Sequence, residues 1–350
     1  MGRFGITTGT CATAAAKAAA LRMTGKSCGG AVGIILPDGC LMTVPILWTG
    51  IKGSRATACV IKDAGDDPDV THGAEIRVSL EPMDGGDMLF AAGEGVGVVT
   101  KPGLQIPVGE PAINPVPRQM IRQAVREITG IPLKVTVSVK NGRLLAERTF
   151  NPRLGVVGGI SIIGTSGIVR PNCRMAVVKT IALSMRVAAA AGIDCPVLVP
   201  GNIGARAAMA WRGAEITQII EVLNEWGAGI DSAVTEKCRG VDLVGHPGKL
   251  AKLITGGFYT HSSAGGNAVD AVCGVANDLG IRVGASINTT EAIFTEIGDM
   301  EAGRLGAAVA GRIADAVRRR CGERLAVRVG LIRMDGTAIA ESGWVGKDNY

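Results

Sequence analysis

Aromatic residues are scarce in this chain: five Phe, four Trp and two Tyr make up 3% of its 350 residues. The stacking platforms that hold single-stranded nucleic acid are therefore few. The formal net charge is +6, from 37 Lys and Arg against 31 Asp and Glu, a tilt that suits an anionic partner without demanding one. The one tight basic run, Arg318-Arg319-Arg320, closes a helical pattern and reads as a solvated helix C-terminus rather than a nucleic-acid footprint. No apolar run reaches the roughly 18 uncharged residues that a membrane span needs. Nine cysteines (11, 28, 40, 59, 173, 195, 238, 273 and 321) stand singly with no C-x-x-C pair. That spacing argues against a structural zinc site, and it reads as reduced, mostly buried thiols in a cytoplasmic protein. There is no G-x-x-x-x-G-K-[ST] loop and no G-x-S-x-G elbow.

What the chain does have is apolar material, 47% of residues, punctuated by 51 glycines. The length favours two domains. The N-terminus looks signal-like, but its apolar part is alanine interrupted by Lys17, so 11–23 reads as a helix of the fold, N-capped by Thr8 or Thr10. Ile6 stands where a myristoylation pattern wants Ser or Thr. Strands are expected at 31–36 and 40–46, joined by a turn, and at 57–62 and 74–81. A helix is expected at 117–129, and a hairpin at 133–139 and 144–150 through Asn141-Gly142. After Asn151-Pro152, strands and helices alternate: helix 174–191, strand 196–201, helix 205–226, strand 241–245, and helices near 247–254 and 264–279. That spacing is the βαβ pattern of a parallel sheet. Helix 301–321 and strand 325–334 follow. The expected architecture is an α+β N-terminal domain (1–150) plus an α/β second domain (151–287) with a mainly parallel sheet. The tail from about 288 to 350 is an optional completion of the first domain.

The densest chemistry lies in ACVIKDAGDDPDVTHG (58–73). An apolar run ends at Lys62, and Asp63, Asp66, Asp67, Asp69 and His72 follow within eleven residues. Like charges held close raise one another's pKa, one route to a proton acceptor near neutral pH. An Asx-turn loop or a hard-cation loop explains the same residues. GITTGTCATAAAKAA (5–19) brings Thr7, Thr8 and Thr10 to a helix start, a natural place for an anion, although plain N-capping needs only one of them. AAGEGVGVVTKPG (91–103) alternates glycines around Glu94, a weak signal without a following helix. IIGTSGIVRP (162–171) is a second glycine loop and a better anion cradle. VGHPGKLAKL (244–253) sets His246 and Lys249 at a strand end, where open α/β sheets bind ligands. GFYTHSSAGGNAVD (257–270) sets His261, Ser262 and Ser263 before another helix, a faint Ser-His-Asp possibility.

Taken together, GITTGTCATAAAKAA, VIKDAGDDPDVTHG, GEGVGVVTKPGL, GEPAINPVPRQMI and NPRLGVVGGISIIGTSGIVRP resemble the CbiD family, cobalt-precorrin-5B C(1)-methyltransferases of anaerobic cobalamin biosynthesis. The likeness continues through PGNIG (200–204), VGHPGKLAKL and the GGN turn at Asn267. The resemblance implies methyl transfer from S-adenosylmethionine to carbon 1 of a cobalt-containing tetrapyrrole, giving cobalt-precorrin-6A. Cobalt would arrive with the substrate, with no protein-bound metal. The implied partner is the anionic tetrapyrrole, whose carboxylates Thr7, Thr8, Thr10, Lys17, Lys62, Lys101, Arg118 and Arg153 would receive. Transient contact with neighbouring pathway enzymes fits an unstable substrate. Asp63, Asp66 and His72 become the candidates for proton removal or charge stabilisation. For the donor, the first candidate is the loop of Gly93, Glu94, Gly95, Gly97 and Thr100, with Glu94 on the ribose; the GGISIIGTSG loop is second. A phosphate- or nucleotide-handling transferase and a non-catalytic tetrapyrrole carrier are the alternatives.

Overall fold

Helix α1 (Thr8–Met23) is almost entirely Ala, Thr and Gly over its first turns, and that composition lets neighbouring elements lie close against its backbone. Every residue from Thr8 to Ala20 except Lys17 is buried. The computed structural model describes residues 2–171, 173–261, 267–284 and 287–346. It divides into two compact units, Met1–Cys173 and Arg174–Tyr350.

In the first unit, α1 packs with α2 (Pro115–Arg126) against a five-stranded sheet. Its strands are β1 (Trp48–Lys52), β2 (Arg55–Ile61), β3 (Glu75–Pro82), β4 (Leu89–Ala92) and β5 (Leu133–Val139), in the spatial order β1-β2-β3-β5-β4. All neighbours are antiparallel except β4 and β5. Alternation sets the faces: Ile76, Val78, Leu80, Val135 and Val137 are buried in the core, while Arg77, Ser79, Thr136 and Ser138 are only partly covered. Strands Ala31–Ile35 and Leu41–Pro45 pair as expected. The second expected hairpin does not form. Asn141 takes a left-handed conformation (φ 59°) and Gly142–Glu147 is a short helix. Asn-Gly turns the chain in either case, and Leu-Leu-Ala-Glu is a good helix-forming string.

The second unit is an α/β layer built on β6 (Val197–Val199), β7 (Ile219–Glu221), β8 (Gly240–Gly245), β9 (Ala326–Ile332) and β10 (Ala338–Val345). The order is β7-β6-β8-β9-β10, parallel except for β10 at the edge. Val197, Val199 and Val244 pack on one face with Ala205 and Ala208 of the helix α4 (Asn202–Arg212). Leu198, Ile220 and Leu243 pack on the other with α3 (Arg174–Ala190), α5 (Trp226–Thr235), α6 (Ala268–Asp278) and α7 (Gly298–Arg320). The mainly parallel second sheet is thus present. Residues 151–173, however, belong to the first unit, and the tail's strands β9 and β10 complete the second sheet rather than returning to the first. The helix expected at 205–226 ends at Arg212, because Gly213 caps it in a left-handed conformation. Among the described residues no helix is long and apolar enough to cross a membrane.

Candidate active site

Three stretches far apart in sequence meet at the N-terminal end of α1: the segment before it, the acidic loop 62–73 and the loop 161–171. Gly5-Ile6 pairs antiparallel with Ile168-Val169. On its other side the same segment runs along the acidic loop, with Ile6 N–H donating to Asp63 O (2.7 Å) and Asp66 N–H to Arg3 O (3.0 Å). Glycine is required at this crossing. A Cβ on Gly5 would lie 2.0 Å from the Ala64 carbonyl carbon, and one on Gly65 (φ 66°) 2.2 Å from Arg3 O.

Two of the four carboxylates of the loop, Asp63 and Asp69, are paired with cations. Arg3 forks onto Asp63, one leg at 2.9 Å, and its backbone N–H donates to Asp66 Oδ2 at 2.6 Å. The Arg3 guanidinium, helped by Gly65 N–H, pulls the Asp63 carboxyl down to about 2. Asp69 holds the fully buried Lys62 ammonium at 2.6 Å and accepts from Thr71 N–H and Oγ–H. Burial works against its ionisation, but those bonds outweigh it and its pKa is lowered. The expectation of a raised pKa is therefore corrected: each of these two acids has a cation of its own. Arg3 is the partner of Asp63 that motif reading missed, for nothing in the sequence couples positions 3 and 63.

His72 is exposed, and its Nδ1 accepts the Ala64 N–H at 3.1 Å, 3.9 Å from Asp63 Oδ1. That bond selects the tautomer with the proton on Nε2. The site therefore offers an N–H donor beside an ionised Asp63. Arg3→Ala is expected to return the Asp63 carboxyl from about 2 towards the ordinary value of about 3.9, read by carboxyl NMR against pH. The sign follows from the depressed native value: the pairing contributes above about pH 3.9 and is lost as pH falls through about 2.

The helix start is not an open anion site. Gly9 N–H donates to Ile163 O (2.9 Å), Thr10 N–H to Thr7 Oγ1 (3.2 Å), and Thr10 Oγ–H to Gly167 O (2.6 Å). Thr8 Oγ1 accepts from Ile163 N–H at 2.8 Å. Thr7, Thr8 and Thr10 are buried, and they tie α1 to the 161–171 loop instead of facing a substrate. Several expected substrate cations are spent the same way. Lys17 Nζ donates to Gly33 O (2.7 Å) and pairs with Glu127. Arg118 donates to the carbonyls of Ile113 and Pro111 and pairs with Glu110 (3.1 Å) over the Phe90 ring. Arg153 lies over Phe150. Lys101 is the exception: its stem lies against Gly155, and no ion pair engages it among the described residues.

Most glycines of the two loops are packed against the chain itself. A Cβ on Gly93 would meet Ser138 Oγ at 2.1 Å, on Gly95 the Val139 carbonyl oxygen at 2.0 Å, and on Gly97 Val156 Cγ1 at 2.4 Å. Side chains at Gly93 and Gly97 and backbone at Gly95 already fill the space that these glycines leave, and Glu94 and Thr100 stand exposed beside them. In the second loop Gly159 abuts Gly95, Gly164 abuts Thr7 and Gly167 abuts Leu36, while Gly158 is open. Gly95→Val would therefore report on folding and not on donor affinity.

In the second unit His246 Nδ1 caps the next turn through Gly248 N–H (3.0 Å), and its Nε2 bonds Glu291 (2.7 Å). His261 stacks on Tyr259. Ser262 and Ser263 lie outside the described residues, so the Ser-His-Asp possibility has no described geometry.

A family model described as CbiD matches residues 1–171, nearly the whole first unit. A protein of Syntrophotalea carbinolica named cobalt-precorrin-5B C(1)-methyltransferase is 44% identical over 339 residues, 97% of each chain. One of Ralstonia nicotianae with the same name is 40% identical over 360 residues, 97% of this chain and 94% of that one. A crystal structure of a cobalamin biosynthesis protein (cbiD) from Archaeoglobus fulgidus is 26% identical, with a TM-score of 0.40 over 81% of this chain and 86% of that chain.

Proposed function

This chain belongs to the CbiD family, and we propose that it methylates carbon 1 of cobalt-precorrin-5B with S-adenosylmethionine as donor, in the cytoplasm, giving cobalt-precorrin-6A. The observation that carries this is the 44% identity across 97% of both chains with a relative of that name. The donor supplies an activated methyl: the S–CH3 bond breaks as the C1–CH3 bond forms, the macrocycle carbon contributes the electron pair, and the sulfonium leaves as a neutral thioether.

The chain's own task is then to hold an anionic macrocycle in line with the donor and to exclude water. His72 Nε2–H and the exposed Arg3 at the acidic loop, with Lys101 elsewhere in the first unit, are donors suited to the tetrapyrrole's carboxylates. Asp63, held near 2, is a poor general base, and its place is to orient Arg3. Anaerobic incubation with cobalt-precorrin-5B and methyl-labelled S-adenosylmethionine tests the reading. One labelled methyl on carbon 1 is the expected product. Tetrapyrrole binding with no transfer would favour the carrier alternative.

A further inference from the structure

The strand order of the second unit reverses between β6 and β8. The chain leaves β6 for α4 on one face of the sheet, and it leaves β8 for Leu250 and Leu253 on the other. Diverging connections of that kind open a crevice past the carboxyl ends of the two strands, where open α/β sheets bind their ligands. The first turn of this crevice differs from the packed glycines Gly93, Gly95 and Gly97 of the first unit. Gly201, between β6 and α4, has φ 154° and ψ −161°, and nothing lies within 4 Å of where its Cβ would be. Three residues on, Gly204 does the opposite job: a Cβ there would lie 2.8 Å from Pro200 and 3.1 Å from the Val244 carbonyl, so α4 sits tight on the sheet. One open glycine and one packing glycine, in that order at the first strand-to-helix turn, match the last two glycines of a dinucleotide fingerprint.

The next strand supplies the third element. Glu221 ends β7, in register with Val199 at the end of β6 and 20 positions after Gly201 (221 minus 201), the place from which such folds bond a ribose hydroxyl. Just beyond, Leu223 takes φ 54°, a left-handed conformation uncommon for its type, and stands 40% exposed. No side chain caps the first turn of α4, whereas α1 has its first turn filled by Thr7 and Ile163 O.

Resting on the methyl-transfer reading above, we infer that the adenosine of the methyl donor binds in the second unit at this crevice, with its sugar hydroxyls on Glu221 and its backbone contact at Gly201-Asn202. The GEGVGVV and GGISIIGTSG loops are structural. Half-buried Lys249, in the first turn after β8 and without an ion-pair partner among the described residues, is the nearby cation for the donor's carboxylate.

Calorimetric titration of the full chain with S-adenosylhomocysteine tests the placement without turnover. Glu221→Gln is expected to weaken binding at least tenfold while circular dichroism shows the wild-type fold. It is also expected to abolish the wild type's preference for the ribose over the 2′-deoxyribose form of the ligand. Gly201→Val, which fills the open space, is expected to abolish binding; should it fail to fold, Glu221→Gln still decides. Wild-type affinity and wild-type sugar preference in Glu221→Gln would overturn the placement and leave the methyl-transfer reading standing. A wild-type chain that binds neither S-adenosylmethionine nor S-adenosylhomocysteine would overturn that reading, and the placement with it.

Discussion

Asp69→Ala is expected to destabilise the first unit by about 3–5 kcal/mol, the usual consequence of stranding a buried charge. Lys62 is 1% exposed at the end of β2, and the Asp69 carboxylate at 2.6 Å is its ion-pair partner. The other Asp69 oxygen takes Thr71 N–H at 2.8 Å and Oγ–H at 2.6 Å. One side chain therefore neutralises the lysine and shapes the turn that carries His72. Urea unfolding monitored at pH 7 reads the loss. Lys62→Met combined with Asp69→Asn is expected to recover most of it, because an apolar stem in place of an unpaired ammonium removes the desolvation cost. A shift below about 1 kcal/mol for Asp69→Ala would mean that Lys62 finds another partner or reaches water. The native Asp69 pKa lies below its unfolded value, so the pair's contribution is complete above about pH 4. It is lost as pH falls through the lower native value. Asp69→Ala and wild type are therefore expected to converge in stability under strong acid.

The acidic loop was legible as a place and illegible as chemistry. Four Asp and a His past a strand end locate it, but its charge state depends on Arg3 and Lys62, and the Arg3 contact spans 60 positions. The glycine loops fail for a related reason. Spacing shows where backbone comes close, and not whether the neighbour is a ligand or, as at Gly95, the chain at Val139 and Gly142. Strands β3 and β5 were each readable because alternation and burial agree, whereas their pairing was not: 133–139 was expected to pair with 144–150 and lies instead against β3. Strand β7 was absorbed into an expected helix because three residues are too few to show a period of two against it. The mainly parallel second sheet was readable from alternation alone. Its strand order was not, and that order is what exposes the crevice beside Glu221.

Under the proposed function, His72→Ala is expected to raise KM for the tetrapyrrole about 10- to 100-fold with kcat changed only a few-fold. The geometry sets the direction. Nδ1 is committed to Ala64 N–H, so the exposed ring presents Nε2–H, a donor that serves ground state and transition state alike. A hydrogen bond to a charged group is worth roughly 1.5–3 kcal/mol, which is that range of affinity. His72→Gln, which can place an N–H near the same point, is expected to recover part of the loss, and His72→Leu none of it. The pH dependence of kcat is expected to keep its shape in all three variants. If instead kcat falls about 10²-fold or more at unchanged KM and one limb of its pH profile disappears, the ring acts as an acid or base. The Ala64 contact would then have to break in the working complex, and the donor role would be wrong.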